Sequence, residues 1–126
     1  MKINMKADCG NSPKREFLRD FTIAYAEGNH EFVMQQIADD VVWEIYGDQR
    51  IEGREAFAAA MQEMSAYKTD ELTIHQIITH GKEGAVNGQF QMADGKQYAF
   101  CDVVTFTSAG KNTIRKIQSY VIQTEI

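Results

Sequence analysis

The stretch Tyr98-Ala-Phe-Cys-Asp-Val-Val-Thr-Phe106 decides the fold, because its side chains alternate between two kinds of surface. Alternation with period 2 places aromatic and aliphatic side chains on one face of a predicted strand, together with a single carboxylate, Asp102. We expect the more aromatic face to be the buried one. A carboxylate on that face must lose its charge, find a hydrogen-bond donor, or border a cavity that admits water or a ligand. Asp102 is therefore the first candidate for a functional site.

The sequence on both sides of this stretch predicts further strands joined by tight turns. Upstream, residues 72–79 and 85–92 are rich in β-forming residues and are separated by turn residues at 80–84. Downstream, a turn over 108–112 leads into a final strand from 113 to about 124. The apolar residues of this last strand fit no single alternation, which predicts either a bulge or a strand buried on both faces.

Helical patterns precede these strands. Ser12 and Pro13 predict the start of a first helix, in which apolar residues recur at helical spacing until Gly28 ends it. Asn29 can cap a second, short helix that ends near Asp39-Asp40.

One strand, a turn and a third helix connect these two parts of the chain. In residues 41–46 the odd positions are all apolar, whereas Glu44 occupies an even position, so we expect the odd face in the core. Gly47 to Gly53 is predicted to be a polar turn region. A third helix with one apolar side is predicted for residues 54–67.

The order of these elements, helices first and a strand meander afterwards, indicates an α+β fold. In this fold the N-terminal helices pack on a curved, mainly antiparallel sheet. We expect one domain over residues 12–126. Residues 1–11 carry little periodicity, so we expect a flexible leader there, with a short edge strand as the alternative. A curved sheet that closes over a helix forms a cone, and the hollow at its mouth can hold a small molecule.

Composition argues against several classes of function. The 126 residues carry a net charge of −5 and their Lys and Arg are scattered, which argues against a nucleic-acid partner. No apolar run approaches the roughly 20 residues of a membrane-spanning helix, so we expect no membrane partner and a cytoplasmic protein. The 2 cysteines form no disulfide or metal motif, and the 3 histidines lack the His-x-x-x-His spacing of zinc sites. We expect no metal and no cofactor.

Two motifs carry a resemblance to a known superfamily. Ala38-Asp-Asp40 leads into Val41-Val-Trp-Glu-Ile45, and Ile51-Glu-Gly-Arg-Glu-Ala-Phe57 starts a helix. In this order they resemble the NTF2-like superfamily, and within it the SnoaL-like and ketosteroid-isomerase-like groups, from about Pro13 to Thr124. The resemblance implies a cystatin-like cone and a homodimer. The superfamily includes isomerases, polyketide cyclases, dehydratases, epoxide hydrolases and members that only bind ligands or partners, so the fold does not fix the activity.

The resemblance also implies roles for particular positions. Steroid isomerases of the superfamily use an Asp base, together with an oxyanion hole made by a Tyr and a protonated Asp. The base position falls on Ile45 and the Tyr position on Phe21, and neither side chain can do that chemistry. The second Asp position falls on Asp102. We therefore do not expect steroid isomerase activity. Asp48 is a candidate for a displaced base near the cavity mouth, although a residue of this kind more often caps a turn.

Asp102 is thus the candidate catalytic residue, as a general acid or base or as a hydrogen-bond donor. Two structural roles for it stay open: a carboxylate bonded to a neighbouring structural group, or a bulge that turns the side chain outward. The parity of the strands and the resemblance predict an apolar wall around it. The candidate ligand-binding residues are Phe21, Tyr25, Trp43, Ile45, Phe57, Phe90, Phe100, Val104 and Val121.

Three functions are compatible with these patterns. A SnoaL-like enzyme would perform proton transfer, cyclisation or hydration on a small apolar or aromatic molecule, with Asp102 as acid or base. A non-catalytic module would only bind such a ligand, which fits the two replaced reactive positions. A structural domain would pair with a second copy through the outer sheet face that carries Cys101, Val103 and Thr105.

Overall fold

The computed structural model describes residues 1–124, which form three helices and seven strands. In chain order the elements are β1 (Lys2–Met5), α1 (Pro13–Glu27), α2 (His30–Gln35), β2 (Ile37–Ile45), β3 (Gln49–Glu52), α3 (Arg54–Met64), β4 (Thr69–His80), β5 (Glu83–Met92), β6 (Gln97–Phe106) and β7 (Ile114–Thr124). None of the helices in this part of the chain has the length and apolar character needed to cross a membrane.

All seven strands form a single sheet in the order β1-β4-β5-β6-β7-β2-β3. Strands β4 to β7 form an antiparallel meander and β3 runs antiparallel to β2, whereas β1 on β4 and β2 on β7 are parallel pairs. Helix α1 packs against β4 and β5, and α3 packs against β2 and β3. The curved, mainly antiparallel sheet with helices against it confirms the expected α+β cone.

Two glycines permit the bend of the sheet and the approach of the first helix. The register between β4 and β5 shifts after Ile74, and Gly88 lies opposite this bulge. A Cβ atom at Gly88 would collide with the Thr73 carbonyl, so only glycine fits at the bend. At Gly84 a Cβ atom would lie 2.6 Å from the Leu18 side chain. Glycine at this position therefore lets α1 lie close against β5.

The first helix has the caps that the sequence predicted. The Ser12 hydroxyl accepts a hydrogen bond from the Arg15 backbone N–H at 3.3 Å, and Pro13 occupies the first turn. Gly28 ends the helix in the left-handed conformation, with φ 75°. The buried face of α1 consists of Leu18, Phe21 and Ala24, and Leu18 and Phe21 also line the cavity described below.

The second helix is shorter than predicted, because its expected last turn belongs to a strand. Helix α2 ends at Gln35, whereas the sequence favoured an end near Asp39-Asp40. Ile37 instead pairs with Ile114, and the Ile114 backbone N–H donates to the Gln36 carbonyl at 2.7 Å. Because of this pairing with β7, strand β2 begins at Ile37, four residues before the expected start. The spacing of Ile37 from its apolar neighbours fits either a helix or a strand.

The region 47–53, predicted as a polar turn, contains a short strand. Strand β3 pairs with β2, with Ile51 opposite Trp43, and the Arg50 side chain forms salt bridges with Glu44 and Glu52. Its apolar contribution is limited to Ile51, which is buried. The third helix ends at Met64, with Ser65 as its C-cap, and so is three residues shorter than the predicted 54–67.

Both ends of the described chain are strands in the sheet. Residues 2–5, within the segment expected to be a flexible leader, form β1 on the edge of β4, which is the alternative that the sequence left open. The Asn4 side-chain amide donates to Thr73 at 3.1 Å. In β7 the register with β6 shifts next to Ile114, which confirms the predicted bulge. Beyond the bulge Ile117 and Ser119 face inward.

Candidate functional site

A cavity of about 320 Å³ lies between α1 and the concave face of the sheet. Every side chain that the sequence predicted for the site lines this cavity. Those side chains are Asp102 and Asp48, with Phe21, Tyr25, Trp43, Ile45, Phe57, Phe90, Phe100, Val104 and Val121. Six of them come from β2, β5 and β6, whose inward parity the sequence predicts, and Val121 of β7 joins them in one hollow. The volume is at the lower end of the range of about 300–1,000 Å³ typical of ligand pockets.

Asp102 lies in the middle of β6, on the cavity side. Its neighbours in register are Val86 on β5 and Ser119 on β7, and the residues at the same parity on its own strand, Phe100 and Val104, are buried. The Asp102 side chain is half-buried and borders the cavity. Burial raises the pKa of its carboxyl to about 6, and a hydrogen bond from Ser119 opposes that rise. The environment thus brings the pKa of this carboxyl close to neutral pH, so the group can either hold or release a proton there.

Ser119 is the one polar residue with a buried side chain among the described residues, and it connects Asp102 to the core. The Trp43 indole N–H donates to the Ser119 hydroxyl oxygen at 2.9 Å. Because that oxygen already accepts a bond, the hydroxyl proton is directed toward another acceptor, and Asp102 lies opposite in the β6–β7 register. Ser119 therefore fixes the orientation of the carboxylate and partly offsets its desolvation.

Tyr25 brings a phenol from α1 to the same region. Its ring meets the Trp43 ring edge to face with centroids 5.6 Å apart, and its hydroxyl donates to the Met64 sulfur at 2.9 Å. Burial raises the pKa of the Tyr25 phenol above its usual value, and the negative charge of Asp102 raises it further. The phenol therefore stays protonated, and its proton is directed toward Met64.

Aromatic rings form much of the cavity wall. Trp43 packs on Phe57 with ring centroids 5.0 Å apart, and Phe90 packs on Phe100 with centroids 5.9 Å apart. Phe21 adds a third ring from α1. Rings held by packing in this way present flat, apolar surfaces to whatever occupies the hollow.

The mouth of the cavity is marked by its exposed lining residues, Asp48 and Val121. The Asp48 backbone N–H donates to the Ile45 carbonyl at 3.0 Å and closes the turn between β2 and β3. Asp48 therefore lies both in a turn and at the opening of the cavity, the two places that the sequence analysis considered for it. Among the described lining residues the only charged side chains are the carboxylates of Asp48 and Asp102.

No other cluster in residues 1–124 offers comparable chemistry. Within this range no three His, Cys, Asp or Glu side chains lie close enough together to hold a metal ion. His75 and His80 are exposed on β4, away from the cavity wall.

The sequence did not identify several of the residues that complete the site. Ser119 matters most, since it is the partner of both Asp102 and Trp43. A signal for it existed in the parity of Ile117, Ser119 and Val121 once the bulge is placed before Ile117. Helical spacing likewise brings Leu18, Thr22 and Ala26 to the cavity beside Phe21 and Tyr25. The remaining unpredicted lining residues are Met64, Thr69, Leu72, Val86 and Ile117.

Known structures share this fold at low sequence identity. An NTF2-like protein of unknown function from Burkholderia xenovorans aligns with a TM-score of 0.77 and 16% identity over 94% of this chain and 90% of its own. One from Cytophaga hutchinsonii aligns with a TM-score of 0.67 and 21% identity over 86% and 99%. An LEH-like epoxide hydrolase from M. tuberculosis aligns with a TM-score of 0.72 and 20% identity over 86% and 82%. At these identities the alignments show a common fold.

The sequence itself supplies the family. No curated protein matches the chain. The profile of the SnoaL-like domain matches residues 18–113, from the buried face of α1 to the start of β7 and including Asp102. The chain therefore belongs to the SnoaL-like domain family, and it shares its fold with solved structures described as NTF2-like.

Proposed function

We propose that this protein binds a small apolar or aromatic molecule in the cavity, and that Asp102 takes a proton from this molecule or gives one to it. One observation carries the proposal: a half-buried carboxyl on a mainly apolar wall, whose pKa is raised to about 6. A base or acid is most effective when its pKa lies near the working pH, and help of this kind is worth roughly 10²–10⁴-fold in rate. Perturbed groups in a concave pocket are also the residues most often found at functional sites.

The reaction class follows from what the wall contains. At neutral pH most Asp102 side chains are ionised, so the residue serves first as a base, and the protonated form that results serves as the acid of a second step. Isomerisation, cyclisation and hydration of an apolar compound all need such a shuttle. The M. tuberculosis epoxide hydrolase adopts the same fold, which makes water addition compatible with a cavity of this architecture.

The test combines a titration with a turnover measurement. The Asp102 carboxyl pKa is followed by NMR in protein labelled with ¹³C at aspartate, with and without compounds identified by mass spectrometry in the purified protein. Turnover of those compounds is then compared between the wild type, Asp102→Asn and the exposed control Asp70→Asn. We expect a pKa near 6 and loss of turnover in Asp102→Asn alone. A pKa near 3.8 that no compound changes would contradict the proposal.

A non-catalytic homodimer is the second candidate, and the outer face of the sheet favours it. This face exposes three large side chains, namely Ile78 (61% exposed), Tyr120 (45%) and Ile122 (68%). The Tyr120 ring also stacks on the Tyr46 ring, with centroids 4.7 Å apart. Cys101, opposite Tyr120 in register, continues this surface. An exposed apolar sheet face of this kind is suited to pairing with a second copy. We include a cytoplasmic location in this proposal, as the composition leads us to expect.

Sedimentation velocity tests the pairing. We expect a dimer for the wild type and a monomer for Ile122→Glu, because a buried, unpaired carboxylate at the centre of an interface is costly. The control Gln62→Glu adds a carboxylate at an exposed position on α3, outside this sheet face. A wild-type monomer at high concentration would remove the dimer from the proposal and leave the cavity as the functional feature.

A further inference from the structure

The cavity carries negative charge alone. Asp102 lies inside it and Asp48 lies at its mouth, while the lining residues that the structure describes include no Lys, Arg or His. Lys14 of α1 is not one of the lining residues; its ammonium lies 3.8 Å from the Phe106 ring centroid and donates to the Lys111 carbonyl. An anionic ligand would therefore enter an apolar hollow without a counter-charge and against two carboxylates, which is costly. The cavity selects neutral or cationic molecules.

The hydrogen-bond donors of the wall are already used. The Thr22 hydroxyl donates to the Leu18 carbonyl at 2.7 Å, the Tyr25 hydroxyl donates to the Met64 sulfur, and the Trp43 N–H donates to Ser119. The Thr69 hydroxyl is directed at the Met92 sulfur, 3.8 Å away. Ser119, as described, is directed at Asp102. The polar capacity that remains for a ligand along this described wall is that of acceptors, and the charged acceptor in its interior is the Asp102 carboxylate.

Two aromatic rings lie near that acceptor. Trp43 shares Ser119 with Asp102, and the Tyr25 ring lies edge to face with Trp43. The faces of Trp and Tyr rings attract a cation within about 6 Å of their centroids, and more strongly where water is excluded. A positive group held by Asp102 would therefore gain from the rings as well as from the carboxylate.

We propose that the ligand of this cavity is a lipophilic amine: an aromatic or aliphatic body with one protonated nitrogen that donates hydrogen bonds to Asp102. The inference deepens the proposed function and rests on its first part, the binding of a small molecule in the cavity. Three independent features converge on it, namely the absence of cationic lining residues in the described chain, the committed donors and the aromatic surroundings of the acceptor. A neutral ligand satisfies the rings but leaves the carboxylate without a counter-charge.

Three indole compounds that differ in one group provide the probes. Tryptamine carries an ammonium, tryptophol carries a hydroxyl on the same two-carbon chain, and indole-3-propionate carries a carboxylate. Calorimetric titration at pH 7.5 measures the affinity of each for the wild type. Both compounds can donate a hydrogen bond to Asp102, but only the ammonium adds an attraction between opposite charges, so we expect tryptamine to bind about 10- to 100-fold more tightly than tryptophol. Indole-3-propionate should bind most weakly.

Two variants assign the preference to its residue. Asp102→Asn should remove the advantage of tryptamine and leave tryptophol bound, whereas Asp70→Asn, at an exposed position near the start of β4, should change neither affinity. Should Asp102→Asn fail to fold, the wild type provides a second readout. Its preference for the amine should fall below pH 6, as Asp102 becomes protonated, while tryptophol binding stays constant.

The outcomes separate this inference from the proposed function. Tryptophol binding as tightly as tryptamine overturns the amine inference and leaves small-molecule binding intact. An amine preference that survives in Asp102→Asn and at low pH also overturns it. If neither neutral nor cationic indole enters the cavity at millimolar concentration, and NMR signals of the lining residues do not move, both the inference and the binding part of the proposed function fail.

Discussion

Replacing Asp102 by Asn should stabilise the folded protein at neutral and alkaline pH. The folded chain raises the pKa of this carboxyl from 3.8 to about 6, so the folded state binds the proton more tightly than the unfolded state. Stability from this group is therefore present in full below pH 3.8 and is lost as the pH rises through about 6. Above that pH the protein carries a desolvated charge that Asn, with nearly the same shape, does not have.

The magnitude follows from the pKa difference. Each tenfold change in proton affinity is worth about 1.4 kcal/mol, so the ionised carboxylate costs at most about 3 kcal/mol at pH 8. The side chain borders a cavity that water can enter, and this screening reduces the expected gain in Asp102→Asn to about 2 kcal/mol. The Asn side-chain oxygen can still accept the hydrogen bond from Ser119, so the Ser119 hydroxyl keeps its acceptor.

Urea unfolding of the wild type, Asp102→Asn and the control Asp70→Asn at pH 8.0, 6.0 and 4.0 measures the effect. The difference between Asp102→Asn and the wild type should be largest at pH 8.0 and should shrink markedly by pH 4.0, while Asp70→Asn follows the wild type throughout. Comparison at each pH cancels the titration of the other carboxylates. A difference that does not depend on pH, or a loss of stability at pH 8.0, would refute the description of Asp102 as a desolvated charge.

Other substitutions test the surroundings of the site and the packing of the fold. Ser119→Ala removes the hydrogen-bond donor that lowers the Asp102 pKa, so an NMR titration should show that pKa rising further. The same substitution removes the acceptor for the Trp43 indole N–H, which should lower the free energy of unfolding by about 1–3 kcal/mol. Gly84→Ala places a methyl group 2.6 Å from the Leu18 side chain and should cost about 1–3 kcal/mol in urea unfolding, whereas Gly110→Ala, with open space around it, should cost little; equal costs would contradict the close approach of α1 to β5.

The strand containing Asp102 could be predicted because its sequence obeys one simple rule. It has antiparallel neighbours on both sides, one face against the core and the other outward, so alternation reports burial directly. The same rule placed Trp43 and Ile45 on the cavity side of β2. Recognition of the family then depended on the passage around Gly53, where β3 leads into α3.

The elements that the sequence missed are those for which local pattern and tertiary pairing disagree. Ile37 fits the apolar face of a helix, but it pairs with Ile114 of β7 and therefore belongs to a strand. Strand β3 has one buried apolar residue, Ile51, and is held by pairing with β2 and by the salt bridges of Arg50. Ser119 is polar and follows a bulge, so its inward direction depends on a shift of register that composition does not report.

The four-residue strand β1 has a consequence for how the protein behaves at high concentration. It pairs with Glu71–Ile74 on the outer edge of β4, a twelve-residue strand with Leu72, Ile74 and Ile77 on its buried face. Without β1 this part of the edge would also be unpaired, and a long unpaired edge is a template on which another chain can add. Trimming residues 1–6 would expose this backbone, and we expect the shortened protein to form light-scattering aggregates on storage while its cavity stays intact. Fusions for purification are therefore better placed where they leave this short strand undisturbed.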